Sequence, residues 1–378
     1  MDNEPQLTPE QLAEEQLSWS LFGIWNKALE EREDRGPMKP RDRIWASELG
    51  GAMIDRYLRM KGIPATNPPN MRSLRKFDMG NFFEMFLRVL LKKADVFRDA
   101  QEYVVHQYPG LLPVTGRLDY LAGGKPDWNK ARAYIDDWAK MTGETVDEVT
   151  GRTPRWLEIS NNFLAAMEEA YKDKPLKDII IEAKTCAMMS FERYKSTNKP
   201  NPHHVLQLFH YLIGKGYPEG HIFYLSKDDG QAIEFGVFNP SGVEEFYKND
   251  IETMTYYYNN NIQPDPEPQV LFDPDRGTFQ RNWKVEYSGY LFHLYGFETP
   301  MEYREAWDAK VRRMNGLITR IAEEKPLTKM NLETMGFVKD YFPNFDELVV
   351  IAKNLKAKGA LQEDPMEAAT KEKDESIV

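Results

Sequence analysis

Three consecutive isoleucines, Ile179 to Ile181, run directly into Glu182-Ala183-Lys184. An apolar, β-branched run bounded by polar residues predicts a short strand buried in a sheet. Side chains two apart in a strand share a face, so Glu182 and Lys184 leave the sheet together. A carboxylate and an ammonium at the end of a buried strand are costly unless paired. Either the two form a plain ion pair or they serve chemistry.

The neighbouring segments supply partners for chemistry. QEYVVHQYPG and LLPVTGRLDYLAG are short, β-rich and separated by Pro-Gly, which predicts a hairpin. Asp119 follows Gly116-Arg117-Leu118 in the second of them. Two carboxylates on neighbouring strands suit a hard divalent cation bound through oxygen, as Mg²⁺ requires. Such a cation polarises a phosphoryl oxygen and lowers the pKa of its water, and Lys184 on the same face could orient or deprotonate that water or neutralise developing charge. The following helix, HHVLQLFHYLIGKG, places Gln207 and Tyr211 four apart on one face. They either hold a substrate strand and brace the site, or form a core tyrosine beside a solvated glutamine.

The remaining pattern predicts an α/β chain of 378 residues with a mixed sheet. Residues 1–40 form an N-terminal helical segment, with Leu12, Leu17, Leu21, Ile24, Trp25 and Leu29 at helical spacing over 8–33. Residues 41–262 form the core, with a loop at 63–76, a helix from Met79 to Ala94, and a polar, helical insertion at about 123–176. Residues 263–360 form a C-terminal extension that opens with a proline-rich connector at 263–276 and carries helices near 299–324 and 345–358. Residues 361–378 are charged and expected to be disordered.

Composition narrows the function. With 49 Lys+Arg against 60 Asp+Glu, the net charge of −11 excludes a chain that coats nucleic acid through bulk charge. Any such contact needs a local basic groove. Arg41, Arg43, Arg56, Arg59, Lys61, Arg72, Arg75 and Lys76 make 41–76 the basic stretch, with Trp45, Tyr57 and Phe77 available to stack on bases; a solvated surface is the alternative. His203 and His204 read as helix N-terminal or phosphate contacts. No apolar run reaches the ~18 residues of a membrane span, and the acidic start lacks a signal-peptide pattern. Cys186 is the sole cysteine, so an internal disulfide and a cysteine-held cluster are excluded, and an intracellular location is expected.

Four motifs in order resemble the PD-(D/E)XK nuclease superfamily, and within it the RecB-like group that includes CRISPR-associated and phage exonucleases. They are Gly80-Asn-Phe-Phe-Glu84, Gly116-Arg-Leu-Asp119, Glu182-Ala-Lys184 and Gln207-Leu-Phe-His-Tyr211. Ser47-Glu48-Leu-Gly50 resembles the group's N-terminal element. The resemblance implies a restriction-endonuclease-like core, with Glu84, Asp119, Glu182 and the carbonyl of Ala183 as metal ligands. It implies Asp119, Glu182 and Lys184 as the catalytic set, and Gln207, Tyr211, Arg117, Ser47 and Glu48 as substrate-binding or site-organising residues.

The activity implied is a Mg²⁺- or Mn²⁺-dependent deoxyribonuclease, an exonuclease on single strands or strand ends, in replication, recombination or repair. A bacterial or phage-infected cell is the implied setting, and a replication or recombination protein could dock on the insertion or the extension. The rival reading is a catalytically silent nuclease-like module that binds DNA or protein. Two departures stand out. About sixty residues separate Asp119 from Glu182. Many relatives also hold an iron–sulfur cluster, whereas this chain has Ala52, Val285 and Ser288 where thiolates would stand, so no cluster is expected. Trp283, Tyr287, Tyr290 and Phe292 are expected to close that gap by packing, the alternative being an unrelated aromatic core patch.

Overall fold

The computed structural model describes residues 21–33, 39–172, 174–238 and 241–359. In chain order the first elements are α1 (Leu21–Glu33), β1 (Ile44–Trp45), a 3₁₀ turn (Ala46–Glu48), α2 (Met53–Met60) and α3 (Met71–Lys93). Strands β2 (Phe97–Ala100), β3 (Tyr103–His106), β4 (Val114–Arg117) and β5 (Tyr120–Gly124) follow, then α4 (Trp128–Thr142) and α5 (Arg155–Tyr171). Next come β6 (Leu176–Cys186), α6 (Met188–Thr197), α7 (Pro202–Lys215), β7 (Glu219–Ser226), β8 (Ala232–Phe238) and α8 (Ser241–Asn259). The rest is β9 (Val270–Asp273), β10 (Thr278–Arg281) and α9 (Trp283–Glu286), α10 (Leu291–Tyr295), α11 (Pro300–Ala322), α12 (Lys329–Tyr341) and α13 (Phe345–Ala357). The chain is a mixed α/β protein with helices flanking mixed sheets and a helical C-terminal region. No helix among the described residues is long and apolar enough to cross a membrane.

Backbone contacts divide the chain into two units: one of residues up to 51, 56–63 and 69–263, the other of residues 52–55, 64–68 and from 264 on. The first holds a five-stranded sheet in the order β2-β5-β6-β7-β8 and a three-stranded sheet β1-β4-β3. The isoleucine strand, β6, lies at the centre of the larger sheet, antiparallel to β5 and parallel to β7. Ile180 is fully buried, as a central strand requires. Between β4 and β5 the chain leaves one sheet and enters the other within two residues, Leu118 and Asp119.

Helix α3 begins at Met71, inside the stretch expected to be a loop. Pro64, Pro68 and Pro69 end just before it, and the Asn70 side chain accepts the Ser73 amide at 3.0 Å, a cap that opens the helix eight residues early. The predicted insertion is the helix pair α4–α5, closed on Ala131, Ile135, Ala139, Leu157 and Leu164. The expected helix over 8–33 is seen from Leu21 on; its earlier part, like residues 361–378, lies outside the described residues.

One buried cation ties α5 to α3. Lys93 Nζ donates to Ser160 Oγ at 2.5 Å and sits 4.1 Å from the Trp156 ring centroid, with no carboxylate partner among the described residues. Burial pushes its pKa down to about 8. Between that value and the ordinary 10.5 the folded chain binds fewer protons than the unfolded one, so stability rises with pH across this window. The expected gain is no more than about 3 kcal/mol. Denaturation of wild type and Lys93→Met from pH 7.5 to 10.5 checks this: the rise belongs to the wild type alone.

The second unit packs the β9–β10 hairpin on α11–α13 around Phe279, Tyr303, Trp307, Leu317 and Ile318. Strand β9 lies in the proline-rich stretch expected to be only a connector, and α12 was not anticipated. Of the four aromatics expected to fill the gap, only Tyr290 is buried; Trp283, Tyr287 and Phe292 are exposed. A polar knot stands there instead. Asp55 accepts from Ser288 Oγ at 2.8 and 2.9 Å and from the Gly289 amide at 3.1 Å.

Candidate active site

Asp119 and Glu182 meet at the junction of the two sheets. Asp119 Oδ2 accepts the Ala183 amide at 2.9 Å, which locks the residue before β5 onto the β6 backbone. Ala183 reaches Asp119 through its N–H. Glu182 is fully buried, and Lys184 Nζ donates to its Oε1. Glu182 Oε2 is also buried and has no hydrogen-bond partner. Glu84 approaches from α3, whose backbone is held by the Tyr120 hydroxyl donating to the Glu84 carbonyl.

The charges of these groups are coupled. Burial, then the nearby Asp119, pushes Glu182 up to about 8, while Lys184 opposes the rise. Burial and Asp119 lift Glu84 to about 7, against the pull of Lys184 and Arg88. Asp119 is raised by burial, with Lys184 and the Ala183 amide holding it back. Burial pulls the Lys184 ammonium down, and Glu182, Asp119 and Glu84 more than reverse that, so it stays protonated. Three acids face Lys184, with Arg88 acting on Glu84, a surplus of acidic groups over cations in a desolvated place.

That surplus is what a divalent cation would relieve. Among the described residues no three His, Cys, Asp or Glu side chains stand as a ready-made metal cage. The unpartnered Glu182 Oε2, beside Asp119, is nevertheless an oxygen donor that nothing in the chain satisfies. An all-carboxylate donor set fits Mg²⁺ or Mn²⁺ and disfavours softer ions.

Helix α7 closes the site from one side. Gln207 and Tyr211 are both buried, and Gln207 Nε2 lies 3.4 Å from the Tyr211 hydroxyl, so the glutamine is not solvated. Gly116 explains its own place in the motif. A Cβ there would stand 2.7 Å from Ala46 Cβ and 2.8 Å from the Tyr211 hydroxyl, so β4 passes under Tyr211 only as glycine. Gly80 has no such constraint; its nearest neighbour would be Thr185 Oγ1 at 3.7 Å.

Gln207 and Tyr211 also line a cavity of about 910 Å³ with Lys39, Arg41, Arg43, Trp45, Ser47 and Arg117 among its other walls. Glu48 does not face it as a free acid. It is buried and takes Arg41 at 2.5 and 2.6 Å and Arg59 at 3.3 Å, which fixes Arg41 in the wall. Arg41 Nη1 remains buried without a partner, and its guanidinium lies 3.9 Å from the Trp45 ring centroid. The basic stretch is therefore divided. Arg56 is buried and bonded to Asp250 at 2.6 and 2.8 Å, and it does not line this cavity. Tyr57 is buried, with Lys61 over its ring at 5.4 Å, and is not available for stacking. Phe77 is exposed on α3.

Sequence reading missed Arg88 and Tyr224. Arg88 follows Glu84 by one turn, and its Nε is buried and unpartnered. An arginine four residues after the acid on one helical face was the signal available. Tyr224 gave none, because only strand order places it beside Lys184.

No family model matches the chain, and no curated protein matches it. Solved structures that it resembles include SSO0001, at a TM-score of 0.40 and 14% identity, covering 73% of this chain and 96% of that one. They also include an alkaline exonuclease, LHK-Exo, from Laribacter hongkongensis, at a TM-score of 0.32 and 10% identity over 58% of this chain and 90% of that one. The same exonuclease in complex with dAMP gives a TM-score of 0.35 and 11% identity over the same shares. At these scores the residues of the site, not the likeness, have to carry a function.

Proposed function

We propose that the chain is a metal-dependent nuclease that hydrolyses phosphodiesters in DNA, acting as an exonuclease on single strands or strand ends. The observation that carries this is the buried, unpartnered oxygen of Glu182 beside Asp119 and under a protonated Lys184. Asp119 and Glu182, with Glu84 beside them, would hold Mg²⁺ or Mn²⁺. When bound, such an ion supplies Lewis-acid polarisation and a water of lowered pKa.

The chain's own residues then have separate tasks. Lys184 remains an ammonium, so it donates hydrogen bonds and counters charge on the phosphate; it does not serve as the base. Its Nζ orients the attacking water in line with the 3′ oxygen. The P–O bond to the water oxygen forms as the P–O3′ bond breaks; the water's proton passes to bulk solvent and the 3′ oxygen takes one up from it, leaving a 5′ phosphate and a 3′ hydroxyl. Gln207 and Tyr211 hold the strand between the acids and the cavity, where Arg41, Arg43, Arg117 and Ser47 would meet phosphate oxygens. Local charge at that cavity offsets the acidic chain. Replication, recombination or repair is the expected setting, and phage origin is consistent with it.

One observation favours the silent binding module: Lys184 closes directly on Glu182, as a structural ion pair would. Incubation with end-labelled single-stranded DNA, closed single-stranded circles and RNA, each with Mn²⁺ or with chelator, separates the two. Linear DNA should shorten with Mn²⁺ only, while circles persist. Absence of cleavage, or cleavage that survives chelation, refutes the reading.

A further inference from the structure

His204 stands beside the candidate site with no task so far. Lys184 on β6 is in register with Tyr224 on the parallel β7, so both side chains leave the sheet on one face. Tyr224 is fully buried. Its hydroxyl oxygen accepts the Asn201 amide at 3.0 Å and lies 2.7 Å from His204 Nδ1.

Proton counting fixes the ring. The Asn201 N–H brings its own hydrogen, so the phenol's single proton is free for one acceptor. If Nδ1 carried a hydrogen, the buried Tyr224 O–H would have no acceptor. Nδ1 therefore accepts, and the hydrogen sits on Nε2. Burial, followed by the charge of Lys184, holds the ring's pKa well below its ordinary value, which keeps it neutral. No protein group takes a hydrogen bond from Nε2 among the described residues. The adjacent His203 is engaged differently, through Nδ1 and the Leu49 carbonyl.

A neutral N–H donor next to a fixed ammonium suits an anion and not a second cation. We propose that His204 contacts the substrate, its Nε2–H donating to a phosphate oxygen of the strand that lies over Lys184. This rests on the nuclease reading of the same site. Tyr224 is then a positioning residue, acting only through the imidazole.

The test uses the full chain and a labelled single-stranded DNA with Mn²⁺. Glutamine can place an amide nitrogen near Nε2, whereas asparagine reaches only the region of Nδ1. His204→Ala should lower kcat/KM about ten- to a hundredfold. His204→Gln should recover most of the loss and His204→Asn little of it, and Tyr224→Phe should fall between wild type and His204→Ala. Thermal melts of each variant report folding separately. A His204→Ala rate equal to wild type, or equal rescue by Asn and Gln, overturns the proposal. Lys184→Ala run alongside keeps the two readings apart. If Lys184→Ala is dead while His204→Ala is fully active, only the role of His204 falls; if wild type is inert, both fall.

Discussion

Lys184→Ala should reduce single-turnover cleavage by at least about a hundred- to a thousandfold, the usual cost of removing one donor aimed at developing charge. Affinity for the strand, measured by fluorescence anisotropy in chelator, should change little. The reason lies in when the ammonium is needed. In the resting chain it is spent on Glu182 Oε1, and a cation bound by the acids would free it to face the phosphate as charge builds there. Loss of binding in proportion to loss of rate would instead mean that Lys184 grips the ground state. A variant that still cuts at the wild-type rate removes Lys184 from the chemistry altogether.

Glu182→Gln should separate stability from activity. The substitution keeps the shape and an oxygen for Lys184, and it removes a buried acid whose ionised form the raised pKa marks as unwelcome. The metal-free variant should therefore melt no lower than wild type. What it loses is the ion. An ion at about 100 times its Kd stabilises wild type by about 2.7 kcal/mol, and that shift should vanish in the variant together with cleavage. A Mn²⁺-induced rise in Tm that persists in Glu182→Gln places the ion elsewhere.

Much of this site was legible in the sequence, and for local reasons. The isoleucine run predicted a short buried strand, and a two-residue spacing then put Glu182 and Lys184 on one face. The four-residue spacing of Gln207 and Tyr211 meant one face of a helix wherever that helix packed. Interactions set by strand order were not legible. Nothing local says that β6 lies beside β7, so the register of Lys184 with Tyr224, and the Tyr224–His204 bond beyond it, were invisible. The early start of α3 was missed because three prolines and several cations outweighed one asparagine cap. Helix α12 was missed although Thr328 and Asn331 form a capping box at its start. Strand β9 was missed because prolines on both sides hid a three-residue apolar run.

The switch between sheets at Leu118 and Asp119 has a mechanical consequence. Asp119 stands just past the last strand of the smaller sheet and accepts the Ala183 amide of the larger one, so one hydrogen bond ties the crossing point to the strand that carries Glu182. Repacking Ile44 or Val104 in the smaller sheet would pull on that bond and shift Asp119 against Glu182. If the acids hold an ion as proposed, such changes should shrink the Mn²⁺-induced rise in Tm.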